Sequence, residues 1–124
     1  MMTSILRKIG LAIVILLVCL LALPAVAGDA NLQAEMDHLM QSIQNSNCAF
    51  IRNGKTHSSD EAMEHILNKY EHSKDRIQTS EDFIDYCASK SLMSNKPYQI
   101  KCPDQDIVES RLWFQEALKR FRNH

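Results

Sequence analysis

Apolar residues recur at intervals of three and four positions in four segments of the chain, which is the spacing of one face of an α-helix. The pattern predicts helices over residues 30–45, 59–73, 80–90 and 107–122. Two of these helices are preceded by a capping signal, Ser58 followed by Glu61 and Thr79 followed by Asp82. In each pair the hydroxyl can accept the amide proton three residues ahead, so these two helix starts are predicted as well.

Two shorter segments, residues 48–52 and 98–102, alternate between apolar and polar side chains as β-strands do. The first ends at Asn53-Gly54, a dipeptide that often joins two strands, but no alternating segment follows it directly. We therefore predict an α+β fold class, a single small domain of order α-β-α-α-β-α. Its helices pack on a two-stranded antiparallel ribbon.

The N-terminal segment has the pattern of a secretory signal peptide. Arg7 and Lys8 precede an apolar run that ends at Pro24, and small residues alternate up to Ala27. We predict cleavage after Ala27, which leaves residues 28–124 as the domain, in the periplasm and without a stable membrane anchor. An uncleaved anchor is the alternative, but Pro24 disfavours it.

Charge restricts the partners that the domain can have. The 14 bases of the whole chain, less the two in the leader, leave 12 bases against 15 acids, a net charge of −3 with histidine neutral. A nucleic-acid-binding surface of clustered lysine and arginine is absent from this composition. We therefore expect no nucleic-acid partner.

Three cysteines remain after the predicted cleavage, Cys48, Cys87 and Cys102, so one bridge and one free thiol is the simplest arrangement. If the two strands pair antiparallel with Phe50 opposite Ile100, Cys48 lies opposite Cys102, within reach of a disulfide. Cys87 falls on a predicted helix, where we favour a small buried side chain over a link between two copies. No Cys-x-x-Cys motif indicates a redox site.

A cluster of histidine and carboxylate residues surrounds the start of the second helix. Glu61 and His65 are four residues apart on one helix face, and His57 precedes the helix. Such residues can ligate zinc, but no His-Glu-x-x-His motif is present and the face lies opposite the predicted apolar face. We therefore favour a solvated polar face and predict no metal ligand.

Arg52 is displayed at a fixed point between a strand and the Asn-Gly turn, and its planar fork suits recognition of carboxylates or phosphates. The alternative, which the sequence favours, is an ion pair with Glu61 or Glu81. The candidate interaction residues are Arg52, Glu61 and His65. Ser89 and Ser91 lack the motif of an activated nucleophile, so we interpret them as capping residues and predict no catalytic residue.

A set of short motifs resembles the YfeK-like family of small secreted proteins of Gram-negative bacteria. The matching residues are Phe50-Ile51-Arg52-Asn53-Gly54, Glu61-Ala62, His65, Lys69, Ile77, Thr79, Glu81, Phe83-Ile84, Ala88-Ser89-Lys90-Ser91 and Lys96-Pro97-Tyr98. Asn95 and Ile66 depart from the family pattern of glycine and leucine. The resemblance implies a periplasmic location and an unknown function, and it favours a Cys48–Cys102 bridge because both positions are often cysteine in the family.

Taken together, the sequence predicts a non-enzymatic periplasmic module that binds a ligand or another protein. The expected partner is an unknown periplasmic protein or a ligand of the cell envelope, and no cofactor is expected. A hydrolase that acts on the cell envelope and a weak metal-binding protein are the alternatives.

Overall fold

The computed structural model describes residues 27–124, so the predicted leader lies, apart from its last residue, outside the described residues. The helices are α1 (Ala27–Gln44), α2 (Ser59–Ser73), α3 (Ser80–Cys87) and α4 (Ser110–Arg122), and a short 3-10 turn, Lys74–Arg76, follows α2. The strands are β1 (Ala49–Arg52), β2 (Lys55–His57), β3 (Gln99–Lys101) and β4 (Val108–Glu109). Among the helices of this part of the chain, none is both long and apolar enough to cross a membrane.

The four strands form one antiparallel sheet in the order β2-β1-β3-β4. The central pair is β1 with β3, in the predicted register with Phe50 opposite Ile100. The α+β class and the single small domain are therefore confirmed. The predicted two-stranded ribbon was incomplete, because a further strand lies at each edge.

The strand β2 follows directly after the Asn-Gly turn, where the sequence predicted none. Asn53 and Gly54 both have positive φ, 50° and 76°, which is the backbone of a tight two-residue hairpin turn. Lys55 then pairs with Arg52, and His57 pairs with Phe50. Because β2 is a short edge strand with two of its three residues exposed, it carries no apolar alternation that could have revealed it.

The strand β4 occupies the start of the segment that was predicted as the last helix. Val108 pairs with Ile100 and Glu109 with Gln99, and the amide of Ser110 donates to the carbonyl of Tyr98 at 2.8 Å. The helix α4 therefore begins at Ser110 rather than near residue 107. Its buried residues are Ser110, Phe114, Ala117 and Leu118, and the helical spacing predicted the three apolar ones.

A disulfide lies at one end of the central strand pair β1 and β3. It joins Cys48 to Cys102, with 4.1 Å between the two Cα atoms and a sequence separation of 54. Cys87 is a free thiol that is fully buried on α3, and burial raises its pKa to about 11. A thiol with this pKa is protonated and therefore unreactive at neutral pH.

An ion-pair network that sequence reasoning missed ties the chain's last helix to two others. The guanidinium of Arg122 on α4 contacts Glu35 on α1 at 2.5 Å and also pairs with Glu81 on α3. The hydroxyl of Ser80 donates to Glu35 at 3.0 Å. The hydrogen bonds from Arg122 hold the pKa of both carboxyl groups below the usual range.

Candidate functional site

A small pocket lies where the β1–β2 hairpin faces the first two turns of α2. Its volume is about 40 Å³, and its apolar walls are Phe50, Ala62 and Ile66. Its polar lining includes Arg52, His57, Glu61, His65 and Tyr98. All three residues that the sequence singled out as candidate interaction residues therefore line one pocket.

Arg52 and His65 are joined by a hydrogen bond that crosses from the hairpin to α2. A guanidinium only donates, so Nδ1 of His65 is the acceptor and the ring proton must be on Nε2. Nε2 then donates to the hydroxyl of Tyr98 at 2.9 Å. Both side chains of the pair are half-buried, and Tyr98 is buried.

Tyr98 receives a second donor from α2. The ammonium of Lys69 donates to its hydroxyl at 3.1 Å and to the carbonyl of Lys90 at 2.7 Å, and the same ammonium lies 4.9 Å from the centre of the tyrosine ring. The two lone pairs of the Tyr98 oxygen are thus occupied. Its own proton has no acceptor among residues 27–124 and is available to a ligand.

The charge states of these groups follow from burial. Desolvation, together with the positive charges of Arg52 and Lys69, lowers the pKa of His65 to about 4, so the ring is neutral at neutral pH. Burial also lowers the pKa of Lys69 and raises that of Tyr98. A neutral His65 agrees with its role as the acceptor from Arg52.

The expected ion pair of Arg52 does not form. Glu81 pairs with Arg122, and Glu61 pairs with Nδ1 of His57 at 3.0 Å. Within the part of the chain that the structure describes, Arg52 makes no ion pair with any carboxylate. The partner of Arg52 could not be predicted from the sequence, because it depends on which helix packs over the hairpin.

The prediction that this face of α2 is solvated is wrong in part. The hairpin covers part of the face and half-buries His65. Glu61 stays exposed and completes the helix start, where its amide donates to the hydroxyl of Ser58 at 3.2 Å. The hydrogen bond from His57 lowers the pKa of Glu61. His72 lies outside the pocket and bonds the carbonyl of Asn68 at 2.8 Å.

His57 has a nitrogen that the fold leaves without a partner. Its Nδ1 faces Glu61, while Nε2 is buried and bonds no atom of the described chain. Buried polar atoms without a partner are rare in native proteins. No pattern in the sequence points to this atom beyond the presence of His57 near the helix start.

The two serines considered as nucleophiles form hydrogen bonds with backbone groups instead. The hydroxyl of Ser89 donates to the carbonyl of Ile84 at 2.6 Å, and the hydroxyl of Ser91 accepts from the amide of Ser94 at 3.4 Å. Both serines are buried. Residues 27–124 contain no group of three or more His, Cys, Asp or Glu side chains placed to hold a metal ion.

The lowered pKa of His65 predicts an acid-sensitive contribution to stability. Folding lowers this pKa from 6.5 to about 4, so between these pH values the unfolded chain binds more protons than the folded one. The stability that depends on a neutral His65 is fully present above pH 6.5 and is lost as the pH falls towards 4. We expect His65→Gln to flatten the fall of Tm between pH 7 and pH 4.

The matched control is His72→Gln, which removes an exposed histidine from the same helix. Thermal unfolding at a series of pH values measures all three proteins, and the carboxylates that also titrate in acid are common to them. If the Tm of His65→Gln falls with acid as steeply as that of the wild type, His65 is not held neutral by the fold.

Two comparisons with known proteins give matches. The model of a family of unknown function, DUF5329, matches residues 30–122. A protein of Salmonella typhimurium (strain LT2) called "Uncharacterized protein YfeK" is 38% identical over 94 residues, which cover 74% of this chain and 76% of that protein. No solved structure matches.

Proposed function

Because the chain belongs to the DUF5329 family, a family of unknown function, its role has to be inferred from its own residues, and we propose that it is a non-enzymatic binding module of the periplasm. In this proposal the pocket takes an anionic group presented by an envelope ligand or a partner protein. Membership of the family agrees with the YfeK-like resemblance found in the sequence.

The observation that carries this proposal is the uncompensated charge of Arg52. Its guanidinium is half-buried, and its partner is the neutral ring of His65 rather than a carboxylate. A charge withdrawn from water needs an opposite charge or several hydrogen bonds to offset the lost hydration. The available O–H of Tyr98 lies in the same pocket, so the site offers two kinds of donor to one anion.

The size of the pocket restricts what can enter. A volume of about 40 Å³ is far below the roughly 300–1,000 Å³ of sites that enclose a drug-sized ligand. It holds a group of a few atoms, such as the end of a larger ligand or one side chain of a partner. We infer that most of the ligand stays outside and that the pocket binds only its anionic end.

The periplasmic location is part of the proposal. The leader pattern of residues 1–27 favours export, and the Cys48–Cys102 disulfide is typical of oxidising compartments. The alternative, a hydrolase that acts on the cell envelope, has weaker support because Ser89 and Ser91 hold backbone groups.

Replacing Arg52 tests the proposal. We expect titration with propionate, followed by the backbone amide shifts of Arg52, His65 and Tyr98, to give saturable changes in the wild-type protein. Among the described residues that line the pocket, Arg52 is the one cation without an acidic partner, so Arg52→Gln is expected to abolish these changes. Arg52→Lys keeps the charge without the fork and is expected to weaken binding about tenfold.

The matched control is Arg76→Gln, an exposed arginine in the turn after α2, which is expected to bind propionate as the wild type does. Thermal unfolding of each variant verifies that it is folded. Absence of saturable shifts in the wild type, or equal shifts in Arg52→Gln, would contradict an anion site at Arg52.

A further inference from the structure

We propose that the group bound in this pocket is a monocarboxylate with a hydrogen-bond donor on the adjacent carbon. A free hydroxy acid and the carboxyl-terminal residue of a peptide, whose amide N–H is the donor, share this chemistry. This inference rests on the proposed anion site at Arg52 and adds the class of ligand. Three features of the pocket carry it: the unpartnered nitrogen of His57, the one cation among its described lining residues, and the placement of both on one face of the hairpin.

The unpartnered nitrogen requires a donor. The carboxylate of Glu61 accepts only, so the contact at 3.0 Å places the proton of His57 on Nδ1. In the tautomer that carries its proton on Nδ1, Nε2 presents a lone pair, and this atom is buried without a partner among residues 27–124. A hydroxyl or N–H group of the ligand satisfies it, whereas a second anionic oxygen would be repelled by the same lone pair.

The charges around the pocket favour one negative charge on the ligand. Arg52 is the cation that lines it, since Lys69 is occupied by the carbonyl of Lys90 and the hydroxyl of Tyr98. Glu61 adds a carboxylate to the lining. A phosphate monoester, with almost two charges at neutral pH, would be undercompensated by Arg52 and repelled by Glu61, whereas a carboxylate matches the single cation.

The register of the hairpin sets the two groups close together. Arg52 pairs with Lys55 and His57 pairs with Phe50, so Arg52 and His57 are diagonal neighbours on one sheet face. Diagonal neighbours in an antiparallel pair have Cα atoms about 7–8 Å apart. Both side chains line the same pocket of about 40 Å³, so we infer that one small group carries both the acid at Arg52 and the donor at His57.

Four probes and two variants test this inference. Lactate and N-acetylalanine carry the donor as a hydroxyl and as an amide N–H, propionate lacks it, and inorganic phosphate carries more charge. We expect both donor-bearing acids to bind the wild type about five- to tenfold more tightly than propionate. This is the gain in affinity expected from one added hydrogen bond. We expect phosphate to bind more weakly than either, and the tighter of the two acids identifies the source.

The variant His57→Ala removes the acceptor, so we expect it to bind lactate and propionate equally, at the propionate affinity of the wild type. His72→Ala is the matched control and is expected to keep the preference. Equal binding of lactate and propionate by the wild type, or a preference for phosphate, would overturn the inference and leave the anion site standing. If no probe binds in an Arg52-dependent way, the proposed function itself fails.

Discussion

We expect replacement of Cys48 and Cys102 by alanine to lower the free energy of unfolding by about 4 kcal/mol. The bridge joins residues 54 positions apart, and in the chain-entropy model a loop of that length restricts the unfolded ensemble by this amount. The part of the chain that the structure describes has under 100 residues and correspondingly little core, so about 4 kcal/mol is a large part of its stability. We expect Tm to fall by about 15 °C or more.

The control for this pair is Cys87→Ala, which removes a buried sulfur but no bridge. Urea unfolding with and without a reductant separates the two roles. A reductant is expected to lower the stability of the wild type and of Cys87→Ala, and to leave the double variant unchanged. If the reductant has no effect on the wild type, the two sulfurs are not bonded in the native protein.

The change Phe83→Ala is expected to cost about 3–5 kcal/mol of unfolding free energy. Phe83 is 1% exposed on α3, and its ring meets the edge of the Tyr70 ring on α2 with 6.1 Å between centroids. Truncation removes this contact and leaves a cavity between two helices that cannot close without moving the capped start of α3. The measurement is the unfolding free energy from urea titration.

The same helix provides the matched control, because Tyr86 is an aromatic residue whose side chain is 39% exposed. We expect Tyr86→Ala to cost less than about 1 kcal/mol, since it leaves no cavity. A Phe83→Ala cost as small as that of Tyr86→Ala would mean that α3 does not pack as described.

Local patterns were sufficient to predict the central strands and the starts of α2 and α3. The alternation around Phe50 and Ile100 fixed which residues face each other, and the register placed Cys48 beside Cys102. The capping box at Thr79 is formed as expected, with the amide of Asp82 donating to the threonine hydroxyl at 3.1 Å. These features depend on residues within a few positions of one another, or on one pairing of two strands.

The rest of the fold depends on contacts that no local pattern records. The edge strands β2 and β4 have three and two residues and are mostly exposed, so neither shows strand periodicity. Arg122 meets Glu35 from 87 positions away, and an arginine among several charged residues gives no sign of its partner.

The arrangement of the candidate site also depends on contacts between residues that are distant in the sequence. Its members Arg52, Glu61 and His65 could be selected by residue type, but their pairing could not. Whether Arg52 meets a carboxylate or an imidazole is decided by the packing of α2 on the hairpin, which brings together residues 13 positions apart. The hydroxyl that accepts the hydrogen bond from His65 belongs to Tyr98, which directly precedes β3 and lies 33 positions beyond His65.

The most direct test of an anion site at Arg52 is to observe its guanidinium. The Nε–Hε resonance, assigned by its loss in Arg52→Lys, is measured by nitrogen–proton NMR while lactate is added to the folded, disulfide-bonded protein. We predict a saturable shift of this resonance that follows the same binding curve as the backbone amide of Tyr98. A resonance that stays in place at saturating lactate, or that moves only as the exposed Arg76 resonance does, would contradict the proposed site.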